Sequence, residues 1–275
     1  MSRSRIRVGS ERISLGFCPD QIGVVRQKTG WKNRKQPPER GVIDVPQATI
    51  MEGWKPGLDI VGRWLEEYAI TNVCAALTLS NRFVRFALVP WSPKVNRSDE
   101  EAALTRARFE SQYGDMTDWT VRLDPGRYGE ARIACAIETA FLDSLRSLFT
   151  AHRIACHAVQ PYFVASWNRW CRQFGQTDGL FAIAESHTVV MASIKAGCWQ
   201  SLRAVHSAED AQSLHVLLER ETLLQGFIGV PQIRIHASSL RGADISAWPK
   251  QMRLLEPEGA ASETALAMAL SGDAA

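Results

Sequence analysis

The chain has 275 residues, of which 45% are hydrophobic and 22% are charged, a composition typical of globular proteins with one or two cores. No apolar run is long enough to span a bilayer, and no apolar segment near the N-terminus resembles a secretory signal, so we expect a soluble protein that is not secreted. The net charge of +3 is unevenly distributed, because residues 1–40 carry ten Lys or Arg and three Asp or Glu. The six Cys and six His show no metal-ligand spacing, which argues against a metal site of a known motif.

The first predicted element is a hairpin within residues 12–28. Apolar strands before and after the turn Cys18–Gln21 bring its two arms together. Further elements follow in chain order: a strand over 41–46, a helix over 58–70, and strands over 73–79 and 83–89.

A helix is predicted over 98–113, because Ser98-Asp99-Glu100-Glu101 resembles a capping box and Gly114 supplies a stop. Apolar periodicity then predicts strands over 119–123 and 131–137, a helix over 138–152, a strand over 154–159, and a helix that begins at Pro161.

A second hairpin spans 179–194, with its turn at Glu185-Ser186-His187, and it looks like the first hairpin used again. The remaining predictions are a strand over 199–205, a helix ending near Gln225, a strand over 233–237 and a helix over 262–270. Helices alternate with strands that include hairpins, so the pattern predicts an α/β protein with mixed sheets and two lobes.

Paired hairpins of this kind often close around a nucleotide, since backbone N–H groups in tight turns can bind phosphate oxygens. The candidate nucleotide-binding residues are Gly16 and Asp20 in the first hairpin and Glu185 and Ser186 in the second. Asp20, Glu185 and Ser186 also have a simpler interpretation as ordinary turn residues. No P-loop, dinucleotide or nucleophile-elbow motif is present.

One run of sequence is more specific. Ala103–Tyr113 reads ALTRARFESQY and precedes the predicted strand at Trp119, and residues 131–159 and 263–270 continue the same order of elements. In this order the chain resembles the two-lobed actin-like ATPase (ribonuclease H-like) fold, and within it the PilM-like and GspL-like assembly proteins of type IV pili and type II secretion. The resemblance implies these divisions: a basic tail over 1–11, a first lobe over 12–176 with an inserted subdomain at about 90–130, a second lobe over 177–262, and a closing helix and tail over 263–275.

The first hairpin departs from the family pattern, in which an acidic residue stands two positions before a glycine. Here the corresponding segment is Ser14-Leu15-Gly16, and the second hairpin offers Glu185. A hydrolase of this fold needs carboxylates to hold Mg²⁺ and to position the attacking water. The resemblance therefore implies a degenerate ATPase with no catalytic or metal-ligating residue assigned, although binding of ATP and Mg²⁺ stays open.

The function implied by the resemblance is that of a cytoplasmic assembly protein at the inner face of the inner membrane. It would bind the cytoplasmic tail of a PilN-like bitopic protein in a groove between the inserted subdomain and the first lobe. Peripheral membrane contact would come through the partner or the basic N-terminal region, and homo-oligomerisation is left open. The alternative is an active Mg-ATPase or small-molecule kinase of the same fold. Nucleic-acid binding ranks last, because residues 41–275 are net acidic.

Overall fold

The structure, a computed structural model, describes residues 11–28, 36–46, 53–95, 97–174, 177–207, 210–255 and 263–272. Its strands are β1 (Glu11–Phe17), β2 (Gln21–Lys28), β3 (Glu39–Asp44), β4 (Cys74–Leu79), β5 (Val84–Val89), β6 (Trp119–Leu123), β7 (Arg132–Glu138), β8 (Ala155–Pro161), β9 (Gly179–Glu185), β10 (Thr188–Lys195), β11 (Cys198–His206), β12 (Gln232–Ala237) and β13 (Met252–Leu254). Its helices are α1 (Lys55–Glu67), α2 (Ser98–Tyr113), α3 (Thr139–Ala151), α4 (Tyr162–Trp170), α5 (Ala211–Gln225) and α6 (Thr264–Gly272).

The two five-stranded sheets have the same topology. The first has the order β3-β2-β1-β4-β8 and the second the order β11-β10-β9-β12-β13. In each, a three-stranded antiparallel meander is continued by two parallel strands. The predicted repetition of the hairpin unit and the predicted mixed sheets are therefore confirmed, and the architecture is two-lobed.

A smaller antiparallel sheet, with the order β5-β7-β6, is inserted between β4 and α3. Helix α2 packs on it through Phe109, which is fully buried, and the Tyr113 hydroxyl donates a hydrogen bond of 2.8 Å to the Phe86 carbonyl oxygen. The Arg85 guanidinium lies 3.9 Å from the Trp119 ring centre and strengthens the same junction. We call β5, α2, β6 and β7 the inserted subdomain.

The two large sheets share one continuous apolar core. It joins Phe17 of the first sheet to Phe181 of the second through Phe163 on α4, whose ring lies 5.4 Å from that of Phe181. Trp167 of α4 extends this contact, because its ring centre lies 4.4 Å from that of Trp199 on β11. Phe163 and Phe181 are fully buried and the two Trp side chains are half-buried, so these contacts hold the two lobes together as one packed unit.

Helix α6 lies directly on the first sheet at a pair of glycines. Gly16 and Gly23 are cross-strand partners in β1 and β2, and a Cβ on either would come within 1.9 or 2.1 Å of the Ala265 carbonyl oxygen, respectively. Small residues on both surfaces therefore allow the helix backbone to approach the strand backbone.

Several predicted boundaries shift. Helix α1 begins before residue 58, because Pro56 is favourable in a first helical turn. Ser98 is the first residue of α2 rather than its cap, and the Glu100 side chain accepts a 3.4 Å hydrogen bond from the Arg97 N–H. The short strand β13 is absent from the sequence prediction. Of the basic region 1–40, residues 1–10 and 29–35 lie outside the described residues.

Candidate functional site

The junction between the lobes is organised around Glu185, the last residue of β9. Its side chain reaches into the loop after β4, where the Ser80 hydroxyl donates a 2.5 Å hydrogen bond to Oε2 and the Asn81 N–H donates a 2.8 Å bond to Oε1. Asn81 in turn accepts a 2.9 Å hydrogen bond from the N–H of Phe163 through Oδ1. Glu185 is thus a bridge between the two sheets and the start of α4.

The electrostatics of this junction follow from burial. Glu185 is only 4% exposed, and removal from water raises its pKa to about 7, although its hydrogen bonds and the nearby Arg82 favour the charged form. Burial also raises the pKa of the Cys18 thiol, which donates a 3.4 Å hydrogen bond to the Met268 sulfur of α6. Near neutral pH the junction therefore holds a carboxyl group close to its midpoint of ionisation.

Of the other predicted nucleotide-binding residues, Gly16 lies within strand β1, and Asp20 and Ser186 lie at the two hairpin turns. Gly16 packs against α6, Asp20 is half-buried and its carbonyl oxygen accepts a hydrogen bond from Val45, and Ser186 is half-buried in the β9–β10 turn. Their assignment to a nucleotide stays a prediction. Ser80 and Asn81 lie between the strands predicted over 73–79 and 83–89, and no local pattern connects them to a glutamate more than 100 positions away.

The fit of this junction to Mg²⁺ is poor. Both oxygens of Glu185 already accept hydrogen bonds from protein donors, Ser80 and Asn81, so neither is directed at an open cation site. Across the residues that the structure describes, no group of three or more His, Cys, Asp or Glu is placed to hold a metal ion.

A second feature is a groove between the inserted subdomain and the first lobe. It consists of two adjoining cavities of about 310 and 300 Å³. They share four lining residues: Arg122, Cys135, Val159 and Pro161. We call this feature the β8 groove.

The β8 groove runs along the free edge of a strand. Every residue from Cys156 to Pro161 lines one cavity or the other, whereas successive side chains of a strand point to opposite faces. Only a surface that follows the strand edge can contact all six. Among the described residues β8 pairs only with β4, and the register skips His157, which marks a bulge.

No protein-family profile matches the chain. No curated protein sequence is detectably similar to it. Solved structures are similar, however. A Bacteroides thetaiotaomicron protein with the actin-like ATPase fold and unknown function superposes with a TM-score of 0.63 at 8% identity, covering 98% of this chain and 99% of that one.

The chain has the actin-like ATPase fold. Two further solved structures also superpose on it over nearly their whole lengths. The chain in a PilM-PilN type IV pilus biogenesis complex gives a TM-score of 0.62 at 15% identity, with 98% of this chain and 99% of that one covered. The cytoplasmic domain of EpsL, an inner membrane component of the Vibrio cholerae type II secretion system, gives a TM-score of 0.52 at 14% identity, with 96% of this chain and 94% of that one covered. The predicted resemblance is thereby confirmed at the level of the fold.

Proposed function

We propose that this protein is an assembly scaffold of a type IV pilus-like or type II secretion-like system. It binds the extended cytoplasmic tail of a PilN-like inner-membrane partner in the β8 groove. The observation that carries the proposal is the outer edge of β8, which pairs with no strand among the described residues and borders a groove along six consecutive residues. The similar fold of a chain in the PilM-PilN complex supports the same role.

The groove suits an extended peptide rather than a compact ligand. A free strand edge offers N–H and C=O groups to a further strand, and cavities beside it accept alternate side chains. Pro161 lacks an N–H and ends the usable edge, where α4 begins. Affinity would come from main-chain hydrogen bonds along β8 and from apolar burial in the two cavities.

The site of action we propose is the cytoplasmic face of the inner membrane. Among the residues that the structure describes, no helix has the length and apolar character needed to cross a bilayer. Membrane contact would come through the partner, helped by attraction between anionic lipid and the Lys and Arg residues of positions 1–40.

We also propose that the protein acts without ATP turnover. Glu185, the one acidic candidate in the second hairpin, accepts hydrogen bonds from Ser80 and Asn81. The apolar core that the two lobes share packs them against each other. Calorimetric titration with ATP, with and without Mg²⁺, tests this, and we expect no detectable binding heat. Micromolar, Mg²⁺-dependent binding that is lost in Glu185→Ala would instead support the alternative, an active Mg-ATPase or small-molecule kinase.

In-cell photo-crosslinking tests the scaffold role. Ala158, in the middle of β8, is replaced by p-benzoyl-phenylalanine in the native host, and crosslinked peptides are identified by mass spectrometry. We expect the crosslinked peptide to come from the cytoplasmic segment of a single-span membrane protein. We also expect Val159→Arg, which places a charge in both cavities, to abolish the crosslink. The same photo-reactive residue at Val216, exposed on α5 of the second lobe, is the control. A crosslink that survives Val159→Arg, or none at position 158, would refute the proposal.

A further inference from the structure

The β8 groove has chemically different ends. Among the described residues, the cavity beside α3 is lined by Arg122, Arg146 and His157 together with apolar side chains, and by no Asp or Glu. The cavity beside α4 is walled by the aromatic residues Phe163, Trp167 and Trp199, and Asp124 is the one acidic residue that the structure describes in its lining. An extended ligand therefore meets positive charge at one end and aromatic surface at the other.

Arg122 occupies the centre of this arrangement. It belongs to both cavities and projects from β6, which faces β8 across the groove. Within the described part of the chain its guanidinium has no hydrogen bond or ion pair, whereas Arg146 is held by Asp143 at 2.8 Å. A guanidinium group presents a planar fork of donors that matches a carboxylate in a two-bond geometry. Arg122 is thus the free cation of the groove among the residues that the structure describes.

Resting on the proposed function, we propose that the β8 groove selects a tail with an acidic side chain. The carboxylate of an Asp or Glu pairs with Arg122, and a large apolar side chain on the α4 side of that acid enters the aromatic cavity. The specificity of the scaffold thus depends on charge at the junction of the two cavities as well as on apolar burial.

Selection from a random peptide library tests the inference with the full chain. Peptides of twelve residues displayed on phage are selected on the wild-type protein and, in parallel, on Val159→Arg. We expect the peptides captured only by the wild type to be enriched in Asp or Glu at one fixed spacing from a large apolar residue.

Binding of one selected peptide is then measured by fluorescence anisotropy against wild type, Arg122→Gln and the matched control Arg220→Gln on α5. We expect about a tenfold loss of affinity for Arg122→Gln, the same loss when the peptide acid is changed to its amide, and no further loss when both changes are combined. Groove-dependent peptides without acidic enrichment, bound equally by Arg122→Gln, would overturn the inference and leave the scaffold proposal intact. Failure to obtain any peptide that Val159→Arg excludes would overturn both.

Discussion

The buried Glu185 makes the stability of the fold depend on pH in a defined direction. Its pKa is raised to about 7 in the folded protein, against an ordinary value of 4.5, because burial disfavours the carboxylate. Between these two values the unfolded chain releases a proton that the folded chain retains, so the free energy of unfolding falls as pH rises. A shift of this size corresponds to about 3 kcal/mol, fully present below pH 4.5 and lost above pH 7.

Glu185→Gln isolates this contribution. The amide keeps the shape, its oxygen can still accept from the Asn81 N–H, and its nitrogen can donate to the Ser80 hydroxyl, but it does not ionise. Urea unfolding of both proteins at several pH values between 4 and 8 gives the difference in free energy of unfolding, in which the other titrating groups cancel.

We expect the wild type to lose about 3 kcal/mol relative to Glu185→Gln between pH 4.5 and 7, with no further change above. Glu66→Gln, at an exposed position of α1, controls for the removal of one charge. A difference that is constant across the range would show that Glu185 has the same pKa in the folded and the unfolded chain, and the burial argument would then be wrong.

Three further substitutions probe other contacts by the same urea measurements. His236 is buried with Nδ1 2.8 Å from the Leu255 carbonyl oxygen, and burial lowers its pKa to about 4. The free energy of unfolding of the wild type should therefore fall by about 3 kcal/mol relative to that of His236→Asn as pH falls from 6.5 to 4. A difference between the two proteins that does not change with pH would contradict this. Gly16→Ala places a Cβ against the α6 backbone and should lower the free energy of unfolding by about 3 kcal/mol. Gly41→Ala, with open space around the new Cβ, should leave the free energy of unfolding nearly unchanged. Equal effects of the two substitutions would refute the close packing of α6. Trp54→Phe keeps an aromatic ring against Phe141 but loses the 2.7 Å hydrogen bond that Nε1 donates to the Glu138 carboxylate. We expect the free energy of unfolding to fall by about 1–2 kcal/mol. An unchanged midpoint of urea unfolding would show that this hydrogen bond contributes nothing to stability.

The elements that could be predicted are those whose signals are local. The limits of β6 match the prediction over 119–123, Gly114 ends α2, and α5 is capped by the Asp210 side chain and ended by Gly226 in a left-handed conformation. In each case one or two residues carry the required backbone preference, so the signal is readable without knowledge of the tertiary structure.

The features that could not be predicted depend on contacts between distant segments. The sequence alone does not show whether Trp54 is buried or exposed. Its burial depends on Phe141 of α3, whose ring centre lies 5.0 Å from that of Trp54 in a stacked arrangement. The partners of Glu185 come from the opposite lobe, and the three residues of β13 join the sheet only because β12 is already there. The β8 groove likewise exists only when the inserted subdomain lies beside β8, so single residues such as Arg122 and Val159 carried no signal in the sequence.

The central claim is that an extended tail adds to the edge of β8, and backbone amide hydrogen exchange tests it most directly. The protein is compared alone and with a saturating synthetic peptide of the segment crosslinked at position 158. The matched control is β3, the opposite edge strand of the same sheet. We predict slower exchange for amides of residues 155–160 and unchanged exchange for residues 39–44. Unchanged exchange along β8, or equal slowing at both edges, would contradict the claim.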